Sequence, residues 1–243
     1  MSVVINYVSD YISVIATDTR ITSNIFGLNC YYDGNKKLYN LPLMGWSAGV
    51  GLHQFLEVFK NKISTEIITD TKQIIDLYKE AIREIIEEYP SWRGYVEKSY
   101  ITCSWVTIEK NQVKCRLGII SKDIEGYLGR LENDKIFILY PIEYVNDPKK
   151  ARELERRYDL NIKFKGQLEE VLYTMIGIFK ELALNTKSIS RVCDIGVQLI
   201  TQDGIYKINI CDDIDHLLVQ IENSNIYSKM QIVDFLDLKS IRS

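Results

Sequence analysis

The chain changes its hydrophobic period at Gly51, and that change limits the folds open to it. From there Leu52, Phe55, Leu56, Phe59 and Ile63 recur at helical spacing, and Ile74, Ile75, Tyr78, Ala81, Ile82, Ile85 and Ile86 do so again. Two amphipathic helices in direct succession are predicted, the second closed by Pro90 and the turn-forming run 91–94. On either side the period is that of strands. Val3–Val8 and Tyr11–Thr17 are rich in β-branched and aromatic residues around a Ser9-Asp10 turn, so they read as a hairpin. A polar stretch carries the chain from Arg20 to Asn35, and two short strands follow over 36–41 and 43–48, broken by Pro42.

Beyond the helix pair, 100–109 and 113–121 form a second hairpin, and 135–140 a buried strand ended by Pro141. Pro148 opens a charged helix to Tyr158, and Leu168, Val171, Leu172, Met175, Phe179, Leu182 and Ala183 mark a stronger one over 167–184. A last hairpin, 194–201 with 205–211, turns on Asp203-Gly204. Hairpin blocks separated by helix pairs give an α+β fold of antiparallel sheets covered by helices, not a parallel sheet of βαβ units. No repeat or linker divides the chain, so residues 1–243 are expected to form one domain. The tail from about 214 is apolar in patches and adds a helix.

Composition excludes several classes. With 46% hydrophobic and 26% charged residues the chain is that of an ordinary globular protein. No apolar run approaches the roughly 18 residues that span a bilayer, so no membrane partner is expected. The start has no basic segment followed by an apolar stretch, which points to the cytoplasm. A net charge of −3 with interspersed signs offers no basic face to nucleic acid. Five scattered cysteines without a C-x-x-C pair suit reduced thiols, and His53, His216 and the Asp212, Asp213, Asp215 cluster lack metal-site spacing. No metal and no cofactor are expected.

The chemistry lies at the start. If Met1 is removed, as is usual before so small a residue, Ser2 carries both a hydroxyl and an α-amino group whose reference pKa, about 7.7 to 8.0, is near working pH. One residue then supplies nucleophile and base. Downstream stand Ala16-Thr17-Asp18-Thr19-Arg20, the pair Lys36-Lys37, and Gly45-Trp46-Ser47-Ala48-Gly49-Val50-Gly51. On a strand the two lysines point to opposite faces, so at most one enters a site.

This pattern resembles the N-terminal half of proteasome β-type subunits and their bacterial relatives, within the N-terminal nucleophile hydrolases. With Ser2 on the family's nucleophile, Asp18 and Arg20 fall in register without a gap, and Lys37 needs a few inserted residues in the preceding loop. The resemblance implies a four-layer αββα sandwich that cleaves an amide or peptide bond through an acyl-enzyme on Ser2. It selects Lys37 as the cation beside the nucleophile, held by Asp18, and Gly49 as the backbone N–H donor to the oxyanion. Arg20 would support Asp18 or the site wall, and Thr22 would line a substrate groove. An amine in place of water would make the same site a transacylase or peptide ligase.

Departures from the family pattern lie in the second half. A Ser-Gly pair is expected after strand 135–140 and an Asp followed by Ser-Gly-Gly before strand 194–201; here stand Pro141-Ile142-Glu143 and the run 188–193, where Ser188 or Ser190 is left to supply a hydroxyl. These departures keep a second possibility open, a catalytically silent scaffold subunit. Subunits of the family assemble into rings, so a homo-oligomer is expected on either reading.

Overall fold

The computed structural model describes residues 2–25, 28–42, 44–66, 68 and 70–237. β1 (Val4–Val8) and β2 (Ile12–Asp18) form the expected opening hairpin. At its turn Ser9 Oγ accepts the N–H groups of Tyr11 and Ile12, which keeps the two strand ends together. Both strands are buried along almost their whole length because the sheet is covered on two faces. Ile5, Tyr7, Val14 and Ala16 face a helical layer, while Val4, Val8 and Ile15, one residue out of phase, face a second sheet.

β3 (Ile21–Ile25) and β4 (Leu28–Tyr32) pair with each other alone. They correct the reading of 21–35 as a plain polar loop. β4 is almost wholly exposed, so no buried face imposes an apolar alternation that a sequence could reveal. β5 (Tyr39–Leu41) is shorter than the strand expected over 36–41, and Lys36 and Lys37 lie in the irregular chain before it. β6 (Gly45–Val50) follows; Leu43, where that strand was expected to begin, is outside the described residues.

The helix pair is α1 (His53–Thr65) and α2 (Thr71–Glu88), the latter started by a reciprocal cap between Asp70 and Gln73. A short α3 (Arg93–Val96) leads to β7 (Tyr100–Glu109), β8 (Gln112–Ile120), β9 (Leu128–Arg130) and β10 (Lys135–Leu139). Then come α4 (Ile142–Val145), α5 (Pro148–Arg157), α6 (Leu168–Asn185), β11 (Val192–Ile200) and β12 (Gly204–Asp213). The tail holds the expected helix, α7 (Ile214–Glu222), and also β13 (Gln231–Asp237), which pairs with β12. β13 was not expected because its apolar residues Ile232, Val233 and Phe235 are themselves exposed, so no buried alternation marks the strand.

The strands form two antiparallel sheets, β10-β1-β2-β11-β12-β13 and β5-β6-β7-β8-β9. α1 and α2 cover the second through Phe55, Phe59, Ile63, Ile74 and Tyr78; α6 and α7 cover the first through Val171, Met175, Phe179 and Leu217. Between the sheets lies a third apolar layer around Trp46, Leu117 and Ile15. The fold is therefore the four-layer αββα sandwich. The sheets come close at Gly196, where a Cβ would stand 2.5 Å from the indole of Trp46, whose Nε1–H donates to the Val197 carbonyl at 3.0 Å. Only glycine fits under that ring.

Candidate active site

The site forms where β1 begins and β2 ends. Val4 is opposite Thr17, so one residue further out Val3 meets Asp18: the Val3 N–H donates to Asp18 Oδ1 at 3.2 Å, and Thr17 Oγ1 returns a hydrogen bond to the Val3 carbonyl at 3.0 Å. This clamp fixes the direction in which Ser2 leaves the sheet. Asp18 is fully buried, and its Oδ2 accepts the Arg20 N–H at 2.8 Å and Lys37 Nζ at 2.9 Å.

Lys37 is the hub. Its Nζ donates to Asp18, to the Arg20 carbonyl and, at 2.7 Å, to Ser2 Oγ, which matches the three protons of an ammonium with three oxygens. Burial pushes the Lys37 pKa down, against the pull of the Asp18 carboxylate; burial pushes Asp18 up, against the Lys37 cation and the two backbone N–H groups. Lys36 is exposed, so of the pair it is Lys37 that turns inward.

Gly49 and Lys37 share one cleft: Tyr39 pairs with Ser47, and Lys37 and Gly49 lie two residues beyond that last pair, one on each chain. A cleft of about 720 Å³ joins Ser2, Lys37 and Gly49 to Ile21, Thr22 and Ser23 of β3, to Leu52, His53 and Leu56 at the start of α1, and to Tyr95, Lys98 and Ile142. A Cβ on Gly49 would lie 2.6 Å from Leu56 Cδ2, so a larger residue would crowd the cleft where its wall is formed by β6. Thr22 lines this cleft, and its Oγ1 is buried without a partner among the described residues.

Arg20 is divided between two jobs. Its backbone N–H and carbonyl serve Asp18 and Lys37, while its guanidinium forms a two-bonded pair with Asp33 (2.6 and 2.8 Å) and reaches the Lys187 carbonyl. The side chain thus ties the hairpin β3–β4 to the site wall. Ser190 Oγ accepts the Thr19 N–H at 3.0 Å and donates to the Val192 carbonyl, and Ser188 donates to Glu143 at 2.9 Å. His53, set aside in the sequence for lack of metal-site spacing, lines the cleft through the placement of α1, and Glu143 on α4, which has no spacing signal either, follows the cleft residue Ile142. Met1, on whose removal the nucleophile depends, is outside the described residues. Among the described residues no group of His, Cys, Asp and Glu could hold a metal ion, and no helix is long and apolar enough to cross a membrane.

The αββα sandwich with this order of elements is a proteasome β-subunit-like fold. Solved structures share it. Anbu from Hyphomicrobium sp. strain MC1, as its Gly-1 mutant, superposes with a TM-score of 0.60 at 15% identity, covering 96% of this chain and all of that one. Anbu from Yersinia bercovieri, described as an ancestral β-subunit, gives 0.59 at 13% identity over 96% and 99%. No protein-family model matches the chain, and no curated relative does.

Proposed function

We propose that this chain, with Ser2 as its first residue, hydrolyses amide or peptide bonds through an acyl-enzyme on Ser2. The observation that carries the reading is the contact of Lys37 Nζ with Ser2 Oγ at 2.7 Å, with Lys37 anchored on the buried Asp18. In the proposed reaction the α-amino group of Ser2 takes the hydroxyl proton as Oγ bonds to the substrate carbonyl carbon. The Lys37 ammonium stabilises the developing negative charge on Oγ, and the Gly49 N–H faces the carbonyl oxygen. The proton then passes to the leaving amine as the C–N bond breaks. Water, deprotonated by the same amine, releases the acid and restores Ser2. The outer edge of β3, unpaired among the described residues and lining the cleft, suits an extended peptide.

A β-lactone or vinyl sulfone probe tests this: mass spectrometry should find one adduct on Ser2, lost in Ser2→Ala and absent while Met1 is retained. An intact-mass measurement of the untagged protein from its native host reports which start the chain has. No adduct on a chain that begins at Ser2 would favour the second reading, a silent scaffold subunit, which draws its support from Pro141-Ile142-Glu143 standing where the resemblance leads one to expect Ser-Gly. On either reading we propose one domain, a cytoplasmic setting in keeping with five free cysteines, and homo-oligomeric assembly, ring-forming by analogy with the family.

A further inference from the structure

Four chain segments meet at the mouth of the site, and one carboxylate there has an acceptor left over. In the sheet, β1 lies between β10 and β2, and β2 lies between β1 and β11. Val4 is paired with Leu139 on one side and Thr17 on the other, so two residues further out Ser2 stands opposite Pro141 and Thr19. On the far side of β2 the chain entering β11 runs beside Thr19, whose N–H donates to Ser190 Oγ at 3.0 Å, so Ser2 lies between the chain leaving β10 and the chain entering β11. Those two segments are joined there: Glu143 on α4 accepts the Ser188 hydroxyl at Oε1, 2.9 Å away. The second oxygen, Oε2, is sealed from solvent and has no hydrogen-bond partner among the described residues.

The surroundings give that oxygen nothing else to bind. Ser190 is committed to Thr19 and to the Val192 carbonyl, and the nearest arginine on the β2 side, Arg20, spends its guanidinium on Asp33 and the Lys187 carbonyl. A buried carboxylate oxygen without a donor is unfavourable unless a donor arrives. Ile142, next in the chain to Glu143, lines the cleft together with Ser2. When Ser2 is the first residue, its nitrogen changes from a peptide N–H into an amine with extra donors.

We propose that Glu143 is the positioning residue for the α-amino group of Ser2: Oε2 accepts one of its N–H bonds while Ser188 holds Oε1 and so fixes the carboxylate. The inference rests on the proposed use of that amine as base. It gives the amine two charged neighbours of opposite effect, since Lys37 disfavours the ammonium form and Glu143 favours it. It also aims the nitrogen, because an amine held on the Glu143 side turns its lone pair toward Oγ.

The test reads the amine itself, in the full chain released from a cleavable N-terminal fusion so that Ser2 is first. Reductive methylation with ¹³C-formaldehyde and cyanoborohydride, followed by NMR across a pH series, gives the apparent pKa of the α-amine. Glu143→Gln is expected to lower it by about one unit, with Glu143→Asp in between and Ser188→Ala shifting it the same way by less. An α-amine pKa indifferent to both Glu143 substitutions overturns the inference. Should Glu143→Gln fail to fold, Glu143→Asp decides alone, an unchanged value again overturning it. The probe-labelling result is independent. Labelling of Ser2 with a titration indifferent to Glu143 keeps the hydrolase and rejects this role, whereas a Glu143-dependent titration without labelling keeps this role and rejects the hydrolase.

Discussion

Two lysines are buried where the sheets face each other, and they differ in what surrounds the third proton. Lys207 on β12, 4% exposed, donates to Asn40 Oδ1 at 2.8 Å and the Leu41 carbonyl at 3.1 Å on β5, and pairs with Asp234 on β13 at 2.7 Å. Lys37, 8% exposed, pairs instead with a fully buried aspartate and turns one proton to the Ser2 hydroxyl in an open cleft. The carboxylate partner of Lys207 is partly hydrated, and the cavity beside it, about 30 Å³, has room for one water. One buried cation laces the sheets together; the other is aimed at a nucleophile.

The sharpest way to break that comparison is to remove each cation in turn. Lys37→Met should lower probe labelling of Ser2 at least about 100-fold and destabilise the fold by about 3–5 kcal/mol in urea unfolding, because Asp18 is left as an unpaired buried charge. Adding Asp18→Asn should recover most of that stability and none of the labelling. Lys207→Met should lose about 1–3 kcal/mol, since the Leu41 carbonyl and Asn40 lose their donor, and should label at the wild-type rate. Loss of labelling there would show that the two lysines are not separable.

The pH dependence sharpens the contrast further. The folded Lys37 pKa lies below its ordinary value, so between that lowered value and 10.5 the unfolded chain holds more protons and stability rises with pH. Asp18 is raised, so from 3.8 up to its raised value the folded chain holds more protons and stability falls as pH rises. Each slope approaches about 1.4 kcal/mol per pH unit at most, and both should vanish in the Asp18→Asn, Lys37→Met double variant, as urea midpoints across pH would show. Labelling should fall on the alkaline side as Lys37 loses its proton, at a lower pH than for a free lysine. The smallest effect belongs to Arg20→Gln: its pair with the half-exposed Asp33 should contribute under about 1 kcal/mol. Labelling should persist, because the backbone of Arg20, not its guanidinium, serves Asp18 and Lys37.

What the sequence determined by itself is what local periodicity and short-range spacing can encode. The helices α1, α2 and α6 were legible because each buries one consistent face within a few turns of chain, and the hairpins β1–β2, β7–β8 and β11–β12 because runs of β-branched and aromatic residues flank short turns. Ser2, Asp18 and Lys37 were legible as a set through the resemblance, and the structure brings their side chains together. The hairpin β3–β4 and the strand β13 were not, since neither has a fully buried face to pattern its residues. The placement of Lys37 over Lys36 needed the irregular chain before β5, and the divided role of Arg20 needed Asp33 on the far side of that unforeseen hairpin. The Glu143–Ser188 bridge lies furthest from what one dimension can show. It joins residues 45 positions apart, beyond the ends of two strands that are not neighbours, and only the sheet order that places β1 and β2 between them brings that contact to the end of the sheet where Ser2 lies.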